Sequence, residues 1–188
     1  ALTGSEAILT TEVGQHQMWA AQFYPFSFPR QFLSSGGLGT MGYGLPAAMG
    51  AKLAREDKTL INVTGDGSIL MNIQELMTCV AYGIPLVSVI LNNNYLGMVR
   101  QWQSFFYEHR FSHTDLTLQP DFIKLIESFG GVGFRVEKKS EFDLALQKAL
   151  DSKKVAFIEV IVDRYEDVVP SGGAIHEMIL PKTQQKQD

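Results

Sequence analysis

Two nearly uninterrupted apolar runs, Leu60-Ile61-Asn62-Val63 and Leu86-Val87-Ser88-Val89-Ile90-Leu91, constrain the fold of this chain more than any other feature. A strand with one face in water alternates apolar and polar residues, whereas a strand covered on both faces is apolar nearly throughout. Doubly covered strands belong to parallel sheets, whose crossover connections lay helices on either side. The rest of the sequence supplies those crossovers. Short β-branched and apolar runs at 7–11, 31–34, 59–64, 86–92, 132–136 and 155–162 take turns with segments of helical period at 15–23, 43–55, 72–82, 97–109, 119–129 and 141–151. This alternation predicts an α/β fold: a doubly wound, mostly parallel six-stranded sheet with helices on both faces.

Length and composition narrow the field further. The 188 residues suffice for one buried core and not for a second domain beside it, so one domain over 1–180 is expected, followed by a polar tail at 181–188 that should be disordered. With 45% hydrophobic and 19% charged residues the chain is globular rather than intrinsically disordered. Its formal charge of −4, with no run of Lys or Arg longer than two, argues against a nucleic-acid partner. No apolar run approaches the ~20 residues of a membrane span, and no secretory signal opens the sequence. The single cysteine, Cys79, cannot form an internal disulfide, which fits a reducing compartment and predicts a cytoplasmic location.

In doubly wound sheets ligands bind beyond the carboxyl ends of the strands, so the loops there hold the functional candidates. Four consecutive strand ends carry Glu12-Val13-Gly14-Gln15-His16-Gln17, Ser35-Gly36-Gly37-Leu38-Gly39-Thr40-Met41-Gly42, Gly65-Asp66-Gly67-Ser68 and Asn92-Asn93-Asn94-Tyr95-Leu96-Gly97. The stretch Gly37-x-Gly39-x-x-Gly42 formally matches a dinucleotide fingerprint. That fingerprint requires an acidic residue at the end of the following strand, and the available ones, Glu56 and Asp57, precede the strand at 59–64 instead. A non-catalytic nucleotide-binding module is therefore the weaker alternative, and a tight glycine turn packing helix on strand is the plain one.

Asp66 and Asn93 follow two successive strands. If these strands are neighbours, both side chains emerge at one sheet edge, where a carboxylate and an amide oxygen are hard ligands suited to Mg²⁺. Gly65 and Gly67 let the backbone close on a phosphate, and Ser68 adds N–H and hydroxyl donors. The same residue types also serve as helix caps and turn formers, so each motif alone has a purely structural reading.

Gly65-Asp66-Gly67-Ser68 closing with Asn92-Asn93-Asn94 resembles the thiamine diphosphate motif, GDG followed after about thirty residues by NN. Together with Gly14-Gln15-His16-Gln17-Met18-Trp19, Gly37-Leu38-Gly39-Thr40-Met41-Gly42 and Gly97-Met98-Val99-Arg100-Gln101-Trp102, the chain resembles the catalytic subunit of the acetohydroxyacid synthase (acetolactate synthase) family over about 7–179. What is present resembles only the carboxyl-terminal, diphosphate-binding third of that subunit. The resemblance implies the thiamine diphosphate-binding fold and these cofactors: thiamine diphosphate and Mg²⁺, with FAD open to the full-length enzyme through a domain absent here. It implies Asp66, Asn93 and the Tyr95 carbonyl as metal ligands. Gly14, Gln15, His16, Gly39, Thr40, Met41, Asp66, Gly67, Ser68, Asn93, Tyr95, Leu96, Gly97 and Met98 are implied around the cofactor. Met98 and Trp102, four apart on one helical face, are implied at the pocket of the second substrate; the plain reading is an apolar stripe buried with Phe105 and Phe106.

By the same resemblance, the complete enzyme decarboxylates pyruvate and condenses the hydroxyethyl unit with a second 2-ketoacid in branched-chain amino-acid biosynthesis, a transferase reaction. A homodimer or homotetramer is implied, with room for a regulatory subunit. The glutamate that activates the aminopyrimidine lies in the family's amino-terminal domain, so no catalytic residue is assigned in this chain, and the chain alone is expected to be inactive. Pyruvate oxidase, glyoxylate carboligase and 2-ketoacid decarboxylase share the GDG…NN pair and are the alternatives. His109, His113 and Asp115 read as an exposed interhelical loop, Cys79 as a small core residue, and 170–173 as a mobile loop ahead of His176.

Overall fold

The computed structural model describes residue 3 and residues 5–169. The expectations for 170–173, His176 and the tail at 181–188 concern residues outside that range. Six strands form one sheet: β1 (Ile8–Thr10), β2 (Phe32–Leu33), β3 (Leu60–Gly65), β4 (Val87–Asn92), β5 (Val132–Val136) and β6 (Ala156–Ile161), in the spatial order β2-β1-β3-β4-β6-β5. Every pairing is parallel, so the expected mostly parallel sheet is parallel throughout.

The apolar runs owe their character to two separate cores. In β3, Leu60 packs into one core and Ile61 into the other; in β4, Ile90 and Val89 divide in the same way, as do Phe157 and Ile158 in β6. One face is covered by α2 (Gly44–Ala54), α4 (Glu75–Ala81) and α6 (Phe122–Ser128), through Leu45, Leu76, Cys79, Phe122 and Ile126. Ala20 of α1 (Gln15–Phe23) and Ala145, Leu146 and Ala149 of α7 (Phe142–Asp151) cover the other. Among the described residues no helix is long and apolar enough to cross a membrane.

Three boundaries depart from the sequence reading. No helix spans 72–82 unbroken; a short turn α3 (Asp66–Ile69) starts directly off β3, a 3₁₀ turn (Leu70–Asn72) follows, and α4 begins only at Glu75. α5 (Gly97–Phe106) ends three residues early, because Glu108 and His109 take positive φ. α6 begins at Phe122, where the Asp121 carboxylate caps it by accepting from the N–H groups of Ile123 and Lys124.

β1 sits at the point where the winding reverses: the chain runs from it outward to β2, then returns to β3 on its other side. The loops after β1 and β3 part there and leave a crevice, the place where such sheets bind ligands.

Candidate functional site

A cleft with about 590 Å³ of empty space opens at that crevice, lined by residues following β1, β3 and β4. The starts of α1, α3 and α5 converge on it. α1 and α5 carry no acidic residue in their first turns, so their free N–H groups and positive dipole ends remain available to an anion. The turn into α1 depends on Gly14, whose φ of 136° suits glycine and whose β-carbon would lie 2.8 Å from the His16 ring. Gly67 keeps the opposite wall low, since a β-carbon there would lie 2.9 Å from Leu96.

Asp66 stands at the floor, only 3% exposed. Its Oδ1 accepts from the Gly67 N–H (3.1 Å), while Oδ2 is buried with no hydrogen-bond partner. Burial pushes its carboxyl up to about 6, against the opposing pull of the backbone N–H groups of Gly67, Asp66 and Asn94 and of the nearby His16. Asn93 donates through Nδ2 to Gln15 Oε1 (3.1 Å), and its Oδ1 accepts from the Tyr95 N–H (3.0 Å). The other two asparagines serve the scaffold. Asn92 donates to Glu159 (2.7 Å), itself paired with Arg135 (2.8 Å), and Asn94 makes the turn at a φ of 57°.

Beneath the α1 turn lies Glu12, fully buried. Its Oε1 accepts from the Thr64 hydroxyl (2.6 Å) and sits 2.9 Å from His16 Nε2, so it holds the imidazole at the cleft wall from below. His16 Nε2 has no aligned hydrogen-bond partner, and neither has Glu12 Oε2.

A profile of the family described as "Thiamine pyrophosphate enzyme, C-terminal TPP binding domain" matches residues 12–160. The chain belongs to this family. It is 51% identical to the acetolactate synthase large subunit of Haemophilus influenzae, covering 98% of this chain and 33% of that protein. It is 48% identical to the acetolactate synthase isozyme 3 large subunit of Escherichia coli K12, over 97% of this chain and 33% of that protein. With the mitochondrial acetolactate synthase catalytic subunit of Saccharomyces cerevisiae the identity is 49%, over 94% of this chain and 26% of that protein. The chain spans about a third of the length of these bacterial relatives.

In this thiamine pyrophosphate-binding domain, Gly14, Gln15, His16, Met41, Asp66, Gly67, Ser68, Asn93, Tyr95, Leu96, Gly97 and Met98 all line the one cleft. Gly39 and Thr40 do not; Gly39 has a φ of 64°, and a β-carbon there would lie 3.3 Å from the Val13 side chain. Trp102 also lies off the cleft, 52% exposed, and Phe105 and Phe106 are exposed beside it. The buried apolar stripe is thus absent: α5 buries its polar residues Arg100 and Gln101 and turns its aromatic face outward. Glu56 and Asp57 are exposed at the far end of β3, Asp57 paired with Arg55, so no acid stands where a dinucleotide ribose would need one. Val13, Trp19, Gly65, Leu91 and Val99 complete the lining; of these Trp19, one helical turn from Gln15, could have been found from the period.

The donor set suits a hard cation beside an anionic group. Among the described residues no three His, Cys, Asp or Glu side chains group as a metal cluster; the unpartnered oxygen of Asp66 is the carboxylate donor that the cleft offers.

Proposed function

We propose that this chain is the diphosphate-binding wall of an acetolactate synthase active site. The observation that carries the reading is the buried, unpartnered Oδ2 of Asp66, set in a cleft with Asn93 and the starts of three helices. Asp66, Asn93 and the Tyr95 carbonyl would hold Mg²⁺, whose charge would offset that of the diphosphate of thiamine diphosphate. The uncompensated N–H groups at Gln15 and His16, and the hydroxyl of Ser68, complement the remaining negative charge. Met41, whose methyl group lies beside Gly67, would support the ring system, with Gly39 and Thr40 preceding it in the same loop. When bound, thiamine diphosphate supplies the electron sink for 2-ketoacid decarboxylation and carbon–carbon bond formation.

The whole protein's chemistry is read from its relatives, named acetolactate synthases and 46–51% identical. On that reading pyruvate and a second 2-ketoacid are its substrates in branched-chain amino-acid biosynthesis, and Met98, on the cleft wall, and Trp102, just outside it, shape the acceptor side. The exposed aromatic face of α5 supports assembly as a homodimer or homotetramer, and relatives named large or catalytic subunits support a regulatory companion. FAD, if used, would bind outside this chain. A cytoplasmic location suits the lone buried thiol, although relatives with mitochondrial and chloroplastic names show that organelles also house this family.

Product analysis of the full-length gene product tests the reading. Incubation with pyruvate, thiamine diphosphate and Mg²⁺ should yield acetolactate, whereas acetaldehyde or acetyl phosphate as the main product would favour a decarboxylase or an oxidase of the same cofactor class.

A further inference from the structure

We propose that Gln101 is a positioning residue for the metal ligand Asn93, acting through Gln15. The inference rests on the metal reading above and concerns three side-chain amides in a row, Gln101, Gln15 and Asn93, all buried. An amide has a donor end and an acceptor end of nearly the same shape, so local packing leaves its direction open and only its partners decide it. Here the decision is made at a backbone. Gln101 Oε1 accepts from the Val168 N–H (3.1 Å), and Gln101 Nε2 donates to the Val168 carbonyl (2.9 Å). These two contacts permit one orientation only, because a flipped amide would set donor against donor and acceptor against acceptor.

The orientation then passes along the row. With its oxygen facing inward, Gln101 accepts from Gln15 Nε2 (3.0 Å), and the second proton of that nitrogen goes to the Glu166 carbonyl (3.0 Å). Gln15 must therefore turn its oxygen toward Asn93, where it accepts from Nδ2 (3.1 Å). Asn93 is left with its oxygen, not its nitrogen, on the far side, where it accepts from the Tyr95 N–H and keeps a lone pair for a cation. A flipped Asn93 would present an N–H₂ group to the metal and repel it. The polarity of a ligand on one strand end is thus fixed from two sides, by the Tyr95 N–H of its own turn and, through Gln15 and Gln101, by the backbone of the segment after β6. Arrangements of this kind orient ligands at metal sites, and their loss typically weakens metal binding about 10–100-fold.

The test is a titration of Mg²⁺ by calorimetry into the full-length gene product at saturating thiamine diphosphate, paired with thermal unfolding without metal. Gln101→Met keeps the length and removes every polar contact; Mg²⁺ affinity should fall about tenfold or more. Gln101→Glu keeps the acceptor for Gln15 and the Val168 N–H but turns a second oxygen toward the Val168 carbonyl in place of the donor; because the oxygen that orients Gln15 is retained, its affinity should lie between those of Gln101→Met and the parent. Unchanged Mg²⁺ affinity in either folded variant, with only metal-free unfolding shifted, would assign Gln101 a purely structural role and overturn the proposal. So would equal losses in both variants, since polarity would then not matter. Asp66→Ala is the control: if Mg²⁺ still binds, the metal reading itself fails, whereas loss of binding there with no effect at Gln101 sinks the positioning role alone.

Discussion

Gly97 and Gln15 approach so closely that a β-carbon on Gly97 would lie 2.0 Å from Gln15 Oε1, and only 2.7 Å from Asn93 Nδ2. The glycine is required by this approach and not by its backbone angles. It allows the first turn of α5 to settle directly on the amide pair that lines the cleft, bringing a helix start to the cleft without an intervening side chain.

Gly97→Ala should therefore break the Gln15–Asn93 hydrogen bond or displace α5. Overpacking of this kind costs about 1–3 kcal/mol, and here the strain falls on the proposed metal ligand. Calorimetry should show Mg²⁺-dependent thiamine diphosphate binding weakened by at least about tenfold, with circular dichroism unchanged. Parental affinity in the alanine variant would mean that the amide pair is not part of the site.

The Asp66 carboxyl holds its proton more tightly in the folded chain, at about 6, than in the unfolded one, at the ordinary value of 3.8. Its protonation stabilises the metal-free fold; that contribution is complete below the unfolded value and is lost as the pH rises through about 6. Between about pH 4.5 and pH 7 the loss amounts to about 2 kcal/mol. Denaturant melts of metal-free Asp66→Asn should lack this part of the pH dependence and should be more stable than the parent near pH 7. Identical slopes for the two proteins would show that Asp66 ionises freely.

Much of this architecture was legible in the sequence because it follows from period and position. Leu60 to Val63 and Leu86 to Leu91 had to be covered on both faces, and the strand ends carrying Gly14, Asp66 and Asn93 had to face one crevice once β1, β3 and β4 proved adjacent. Other features carry no local signal. The turn at Asp66 is four residues long and contains Gly67, too short to display a helical period. The Gln15–Gln101 contact joins positions 86 apart, and nothing in either motif indicates that α5 buries a glutamine in preference to its aromatics. Gly39 and Thr40 share a motif with Met41, yet only Met41 lines the cleft, and no period or spacing within the motif distinguishes the three.

Burial, helped by the Glu75 charge, pushes the Cys79 thiol up to about 12. The thiolate needed for alkylation is therefore scarce near neutral pH, and the sulfur is enclosed in the core. Iodoacetamide labelling of the native protein should proceed only as fast as the fold opens. Rapid stoichiometric labelling without denaturant would contradict this placement.

Trp102 stands half exposed on the outer face of α5. Trp102→Ala should change unfolding stability of the isolated chain by no more than about 0.5 kcal/mol, as for most exposed positions. In the full-length gene product the same change should alter the competition between pyruvate and larger 2-ketoacids as acceptors. A large stability loss without any change in product ratio would return Trp102 to a packing role.

The central claim, that Asp66 and Asn93 anchor thiamine diphosphate through Mg²⁺, is tested most directly by calorimetric titration of thiamine diphosphate into the full-length gene product with and without Mg²⁺. Binding should require Mg²⁺ in the parent and be lost in the Asp66→Ala, Asn93→Ala double variant. Binding of equal strength in the double variant, or in the parent stripped of divalent cations, would contradict it.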